Sequence, residues 1–390
     1  MRVGLDVRVA DAISPGQERY LWRLGAWLAG SGHEVHFLTH REPSPEVVLP
    51  PGTNLHDLRP LARAALPPRL SELGLDALLL NPERSRRYRG IEANLLRPAY
   101  GTEQYRQKLR SFRHPVERSV RRALRWTPWE AAERRWERRF YEGRHPAPEI
   151  IAQSHYLRHE ILDSYDVPEG HVHVVHNGVD PKEFNPAARL TLRDEMRHRW
   201  AIPADATCLL ILAHNYRLKG LWRLFDVLEA TPALDSLHVL VVGRGTGSGQ
   251  RRAAARRAHG TRLRGRVRLV GPVERPIRAL AAADALVHLS WHDAFGLAPL
   301  EAMACGLPVV TTRFAGVSEL VERDVSGLIV DPAAGHEIAT ALERLRNRDE
   351  REAIGRAAAA VAVRHDESVC YAAVERAFEQ AVSRGAPLTL

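Results

Sequence analysis

Short apolar runs, each closed by glycine, proline or asparagine, alternate along this chain with longer stretches in which apolar residues recur at helical spacing. The first such pair gives a strand at residues 2–9, a loop carrying Ser14, Pro15, Gly16 and Gln17, a helix at 18–28 stopped by Gly30 and Gly32, and a strand at 34–39. This is a βαβ unit of a parallel sheet. Residues 76–80 predict a further short strand, whereas 88–100 fit neither period. A strand at 149–153 runs into Ser154, a helix cap by residue type. Asn177-Gly178 signals a turn, and Pro181, Phe184, Asn185 and Pro186 read as a connector. Beyond it the alternation restarts: strands at 208–213, 238–242, 267–270 and 285–289, with helices at 221–228 and 277–283 and from Ala298 and Pro299 onward. Apolar stretches at 308–311, 315–321 and 326–330 complete that half, and helices near 337–345 and 367–382 end the chain. The whole is α/β.

With 390 residues, 45% hydrophobic and 26% charged, the chain suits two folded domains. Cys208, Cys305 and Cys370 are few and far apart, so neither a disulfide framework nor a Cys-x-x-Cys metal site is expected, and a reducing, cytoplasmic setting is. Charges interrupt the first residues, and no apolar run reaches 18 residues, which predicts neither a leader nor a membrane span.

The net charge of +9 is concentrated. Residues 105–144 hold thirteen Lys and Arg against five Glu, a local +8. Their apolar positions, Leu109, Phe112, Val116, Val120 and Leu124, have helical spacing, and Trp126, Trp129, Trp136, Phe140 and Tyr141 follow among arginines. A basic amphipathic helix with aromatics suits an anionic membrane surface, and would make the protein peripheral on the inner face of the cell membrane. The alternative is that these apolar residues cover the core while the arginines face water. A second stretch, 251–268, has eight Arg and no acid, and allows either phosphate binding or plain solvated helix.

Residues 290–307 carry the chemistry. Asp293 and Glu301 bracket a glycine turn that opens a helix, whose free N–H groups and positive dipole end suit an anion at the carboxyl edge of a parallel sheet. Two carboxylates beside a phosphate would repel it, so they are better placed to bind hydroxyls, as on a ribose and a sugar. The residues suggest a nucleotide sugar. Gly243 to Gly249 invites a dinucleotide reading, but the third glycine of that fingerprint and its later acid are missing. No Asp-x-Asp and no His/Cys cluster with ligand spacing occurs, so no metal and no cofactor are expected.

Asp293 and Glu301 with Phe295-Gly296-Leu297 and Glu301-Ala302-Met303-Ala304-Cys305-Gly306 resemble the signature of the retaining glycosyltransferases of family 4. In that family the first acid is normally Glu. The resemblance extends from Gly32-His33-Glu34-Val35 through an Asn177-Gly178-Val179-Asp180 turn at the domain hinge to the last helix. It implies the GT-B fold: two Rossmann-like domains facing across a cleft, with the C-terminal helix crossing back to the N-domain. The expected division is 1–185 for the acceptor, 186–365 for the nucleotide sugar and 366–390 for the returning helix.

Carried onto these residues, the resemblance implies a hexosyltransferase that needs no metal. Lys219, aided by Arg217, and the backbone amides of Phe295, Gly296, Leu297 and Ala298 neutralise the diphosphate. The family's arginine ahead of that lysine is replaced by His214. Glu301 takes the ribose, Asp293 a hydroxyl of the donor sugar, Gly271 to Val273 the base, most commonly uracil, and Gly16 with Gln17 the phosphates from the N-domain side. Glu103, in the segment that otherwise supplies an N-domain Asp or His, substitutes as a polar contact. The basic insert and Asn215-Tyr216-Arg217-Leu218-Lys219-Gly220 are similar to the lipopolysaccharide core branch, which implies a glycan or glycolipid acceptor. The alternatives weighed are a catalytically weak nucleotide-sugar-binding protein on the same fold and a nucleic-acid binder; the second has no recognised RNA motif, and no nucleic-acid partner is expected.

Overall fold

A computed structural model describes residues 1–7, 16–41, 48–61, 65–82, 91, 93–98, 135, 137–142, 147–245 and 247–385. Within it the chain forms two compact units, one of Met1–His176 with Ser368–Leu390 and one of Asn177–Glu367. Glu103 lies outside the described residues.

The first unit is built on a parallel sheet of seven strands: β1 (Arg2–Val7), β2 (Glu34–Thr39), β3 (Thr53–Asp57), β4 (Ala77–Leu80), β5 (Leu95–Leu96), β6 (Glu149–Ala152) and β7 (Val172–Val174), in the order β3-β2-β1-β4-β5-β6-β7. Helix α1 (Gln17–Gly30) connects β1 to β2, and α2 (Leu66–Ser71) precedes β4. The cap read at Ser154 is realised, since its Oγ accepts the Leu157 N–H at 3.0 Å at the start of α3 (His155–Ser164). Tyr20, Leu21, Leu24 and Leu28 of α1 are buried against the sheet, and Trp22 stacks on Phe37 at 4.7 Å.

The second unit has a parallel sheet of six strands, β8 (Thr207–Leu212), β9 (Leu237–Val242), β10 (Val267–Gly271), β11 (Ala285–Val287), β12 (Val309–Thr312) and β13 (Leu328–Val330), ordered β10-β9-β8-β11-β12-β13. Both faces are covered, so successive residues of one strand enter different cores. Cys208 and Leu210 of β8 join one layer with Leu240, Leu286 and Val309. Leu209 and Ile211 join the other with Val239, Val241 and Val287. That is why these strands read as unbroken apolar runs. The covering helices are α4 (Pro186–Arg199), α5 (Leu221–Ala230), α6 (Gly247–Gly260), α7 (Pro276–Ala282), α8 (Leu297–Ala304), α9 (Gly335–Arg344) and α10 (Arg348–Ala362).

The last helix, α11 (Glu367–Ser383), returns to the first unit, where Tyr371, Val374, Phe378 and Ala381 join the core of α1 and β1. One ring contact and two polar contacts add to this. Tyr371 meets the Tyr20 ring edge-on at 5.4 Å, Glu375 takes a hydrogen bond from His33 at 2.6 Å, and Arg384 binds the buried Glu149 at 2.6 Å.

Several boundaries differ from the sequence reading. The chain passes from one unit to the other at His176/Asn177 rather than near residue 185, because Val179 is knitted to the far end of the second unit: its N–H donates to His365 O at 2.9 Å and its carbonyl accepts the Glu367 N–H at 3.1 Å. Asn185 and Pro186, read as connector, instead open α4, with Asn185 Oδ1 accepting the Ala188 N–H at 2.8 Å and proline in the first turn. The glycines after β9 lead into α6. Three of the eight arginines in the second basic stretch are paired internally: Arg257 with Asp226 and Glu229, and Arg262 and Arg266 with Asp235.

The proposed membrane segment, 105–144, falls outside the described residues except for 135 and 137–142. There Phe140 and Tyr141 are buried, Tyr141 stacked on Tyr165 at 4.0 Å, so these two aromatics belong to the core. No described helix is long and apolar enough to cross a membrane.

Candidate functional site

In the second unit the chain lays β8, β9 and β10 outward in one direction, then returns to the other side of β8 for β11, β12 and β13. At such a reversal the loops leaving the two neighbouring strands diverge to opposite faces and open a crevice at the carboxyl edge. Here those loops run from Ala213 to Gly220 after β8 and from His288 to Gly296 after β11.

The first loop is a closed turn. Lys219 N–H donates to Asn215 O at 3.0 Å, Leu218 N–H to Asn215 Oδ1 at 3.1 Å and Leu221 N–H to Tyr216 O at 2.9 Å. Gly220 has φ +76, and a Cβ there would stand 2.4 Å from the carbonyl oxygen of Leu289. Only glycine allows both the left-handed turn and this approach to the neighbouring strand. The loops are then joined through Leu218, whose carbonyl accepts the Trp291 N–H at 3.2 Å. The second loop is anchored on its other side: Asp293 N–H donates to Phe314 O at 2.8 Å, and Val317 N–H to Phe295 O at 2.7 Å.

This scaffold brings Lys219 and Asp293 together. Asp293 Oδ2 accepts from Lys219 Nζ and, at 3.0 Å, from His288 Nε2, while Oδ1 accepts the Phe295 N–H at 3.4 Å. Burial alone would raise the Asp293 carboxyl; the Lys219 ammonium and the His288 contact outweigh it and hold the group well below the usual carboxylate range. His288 is buried and held below the ordinary histidine range, first by loss of water and then by Lys219, with Asp293 pulling the other way. A neutral ring that donates through Nε2 steers the carboxylate without adding charge.

Helix α8 starts at the same place. Gly296, at its N-cap with φ +97, lies over the Asp293–His288 contact, since a Cβ there would be 3.5 Å from both Asp293 Oδ2 and His288 Nε2. The first-turn N–H groups of α8, those of Leu297 and Ala298 among them, have no intrahelical acceptor. Glu301 sits on the second turn and is buried, at 5% exposure. Burial and then Glu301 push the Cys305 thiol up to about 12, which makes it inert.

The other sequence candidates are more dispersed. Arg217 is exposed, two residues before Lys219. Gly271 ends β10 with φ +88, and its carbonyl already accepts the Gly243 N–H at 2.7 Å. Val273 is half-buried against the core. Gly16 belongs to the first unit, where with φ +68 it opens α1, its carbonyl accepting the Tyr20 N–H at 3.1 Å; Gln17 is the first residue of that helix. Sequence reasoning missed His288, which it counted only as a strand residue. A histidine inside an apolar run, five positions before an acid, was the available signal.

Comparison with known proteins follows the same division. The model for glycosyl transferases group 1 matches residues 193–361, and that for Glycosyltransferase Family 4 matches 15–183. The D-inositol 3-phosphate glycosyltransferase of Xylanimonas cellulosilytica is 33% identical over 248 residues, covering 60% of this chain and 57% of that protein. The enzyme of the same name from Mycolicibacterium smegmatis is 30% identical over 219 residues, 55% of this chain and 48% of that protein. The chain thus spans about half the length of the curated relatives it matches. Among solved structures, WaaG, a glycosyltransferase involved in lipopolysaccharide biosynthesis, superposes with a TM-score of 0.77 at 18% identity over 97% of this chain and 99% of its own. Sucrose-phosphate synthase from Thermosynechococcus elongatus gives 0.75 at 19% over 98% and 99%. Anabaena HepE in complex with UDP-glucose gives 0.70 at 17% over 98% and 100%. These likenesses establish the fold, two parallel-sheet Rossmann-like domains of the GT-B kind.

Proposed function

Because the chain belongs to the glycosyltransferases of family 4, with the group 1 domain as its second half, we propose that it is a retaining, metal-independent hexosyltransferase that uses a nucleotide diphosphate sugar, with UDP as the nucleotide. The observation that carries this reading is the Lys219–Asp293 pair at the reversal point of the second sheet, set beside the glycine-opened start of α8 and the buried Glu301. We assign the nucleotide sugar to the second unit and the acceptor to the first.

As the bond from the anomeric carbon to the diphosphate oxygen opens, negative charge grows on the departing phosphate. The Lys219 ammonium, Arg217 and the first-turn N–H groups of α8 are the donors suited to receive it, preset in a partly dry site. Glu301 takes the ribose hydroxyls, and Asp293 a hydroxyl of the sugar through an oxygen that His288 orients. The acceptor oxygen bonds to the anomeric carbon on the face the diphosphate leaves, and its proton passes to the departing phosphate oxygen. No side-chain base is then required, and no step needs a metal.

The acceptor in this reading is a hydroxyl of a glycan or glycolipid, reached from an anionic membrane surface through residues 105–144. The names of the curated relatives favour a second acceptor class, a phosphorylated cyclitol. The test is to incubate the pure protein with labelled UDP-glucose in EDTA with each acceptor class. Release of UDP with an α-linked product supports the reading. Binding without turnover on any acceptor identifies a nucleotide-sugar-binding protein instead.

A further inference from the structure

The charges at the reversal point leave a deficit for a dianionic or trianionic ligand. Lys219 is matched by Asp293, and His288 is neutral. His214, although exposed, is likewise held below the ordinary histidine range, first by loss of water, then by Arg244 and Lys219. Glu301 adds a further carboxyl. Among the nearby cations Arg217 has a contact of its own, and Arg251 donates to Leu269 O at 3.1 Å. Arg244 differs. It is exposed and, among the described residues, makes no hydrogen bond and no ion pair.

Its backbone is nonetheless fixed at the same sheet edge. Gly243, with φ +125, lies so near the end of β8 that a Cβ would be 2.0 Å from Ala213 O, so only glycine fits. Ala213 N–H donates to Val242 O at 2.8 Å. Tyr216 clamps the turn from the Lys219 loop: its hydroxyl donates to Gly243 O at 3.0 Å, its N–H to Gln250 Oε1 at 3.0 Å, and its ring lies beside Gly245. A guanidinium with no partner among the described residues thus stands on a fixed turn, two residues past the end of β9 and beside the end of β8.

We propose that Arg244 binds the diphosphate of the donor and supplies the uncompensated positive charge that Lys219, already paired with Asp293, does not. This rests on the nucleotide-sugar reading and adds a residue to it. A guanidinium also offers a planar fork that suits phosphate oxygens, where an ammonium offers a point charge.

The experiment is calorimetric titration of wild type, Arg244→Ala and Arg244→Lys with UDP and with uridine, without metal, at low and high salt, with thermal unfolding as a check of the fold. A hydrogen bond to a charged group corresponds to a loss of about 10- to 100-fold. Arg244→Ala should therefore bind UDP that much more weakly, bind uridine unchanged, and show a flatter salt dependence; Arg244→Lys should recover part of the loss. Equal UDP affinity in wild type and Arg244→Ala overturns the inference and leaves the nucleotide-sugar reading standing. So does an equal loss for UDP and uridine. If wild type binds none of UDP, GDP or ADP, that reading fails, and the inference fails with it.

Discussion

Asp293 presents one carboxylate oxygen, Oδ2, to His288 Nε2 at 3.0 Å while the same oxygen holds the Lys219 ammonium. One acid thus fixes a lysine delivered from a different strand and is itself aimed by a neutral imidazole.

The neutrality of His288 has a signature in the pH dependence of stability. Its folded pKa lies below the unfolded one, so between the two the unfolded chain binds a proton the folded protein does not. The associated stability is fully present above about 6.5, the ordinary histidine value, and is lost as pH falls toward the folded pKa. Wild type should therefore lose more Tm between pH 7 and pH 5.5 than His288→Gln, which keeps a donor but has no proton to gain. Parallel Tm profiles for the two would refute this.

Gly220→Ala should be costly although it adds only a methyl group. The left-handed φ alone costs about 1–3 kcal/mol in a residue with a side chain, and the approach to Leu289 O adds to it. We expect Tm to fall by several degrees and nucleotide affinity to fall with it, as the Lys219 turn is pushed off β11. Alanine tolerated without a change in Tm would mean the turn is not held as described.

The C-terminal helix is fastened by charge as well as packing. Glu149 is buried in the first sheet and accepts from Arg384 at 2.6 Å and from His173, with His171 at 3.1 Å. Burial would raise its pKa; the hydrogen bonds from His173 and Arg384 override that and lower it, so its stabilising contribution is present above the ordinary glutamate pKa and is lost as pH falls through the lowered one. Glu149→Gln should cost ~2 kcal/mol at pH 7 in urea unfolding, with the difference from wild type shrinking below pH 4. A constant difference across that range would contradict the assignment.

Much of this was legible in the chain. Strands buried on both faces leave continuous apolar runs, so 208–213 and 285–289 are readable, and Asp293, Gly296 and Glu301 announce a strand–turn–helix. Other elements were not. β5 is a two-residue strand, Leu95–Leu96, too short for any period, and α6 mixes alanine and arginine with no clear apolar stripe. The partnership of Lys219 with Asp293 spans 74 positions and follows from sheet order, which local patterning does not encode. His288 was hidden for the opposite reason, since its neighbours make it look like an ordinary strand residue.

For transfer itself, Glu301→Ala and Lys219→Ala should each lower kcat/KM by ~100-fold or more, the usual consequence of removing a preset group from a developing charge or its binding frame. Unchanged rates in both, with the fold intact by circular dichroism, would place the chemistry elsewhere.

The most direct test of the central claim is a thermal-shift titration of wild type and Lys219→Ala with UDP, GDP and ADP in the presence of EDTA, since a ligand that binds only the folded state raises Tm by mass action. The account predicts a shift for wild type with UDP that survives EDTA and is reduced or lost in Lys219→Ala. No shift with any nucleotide, or an equal shift in the two proteins, would contradict it.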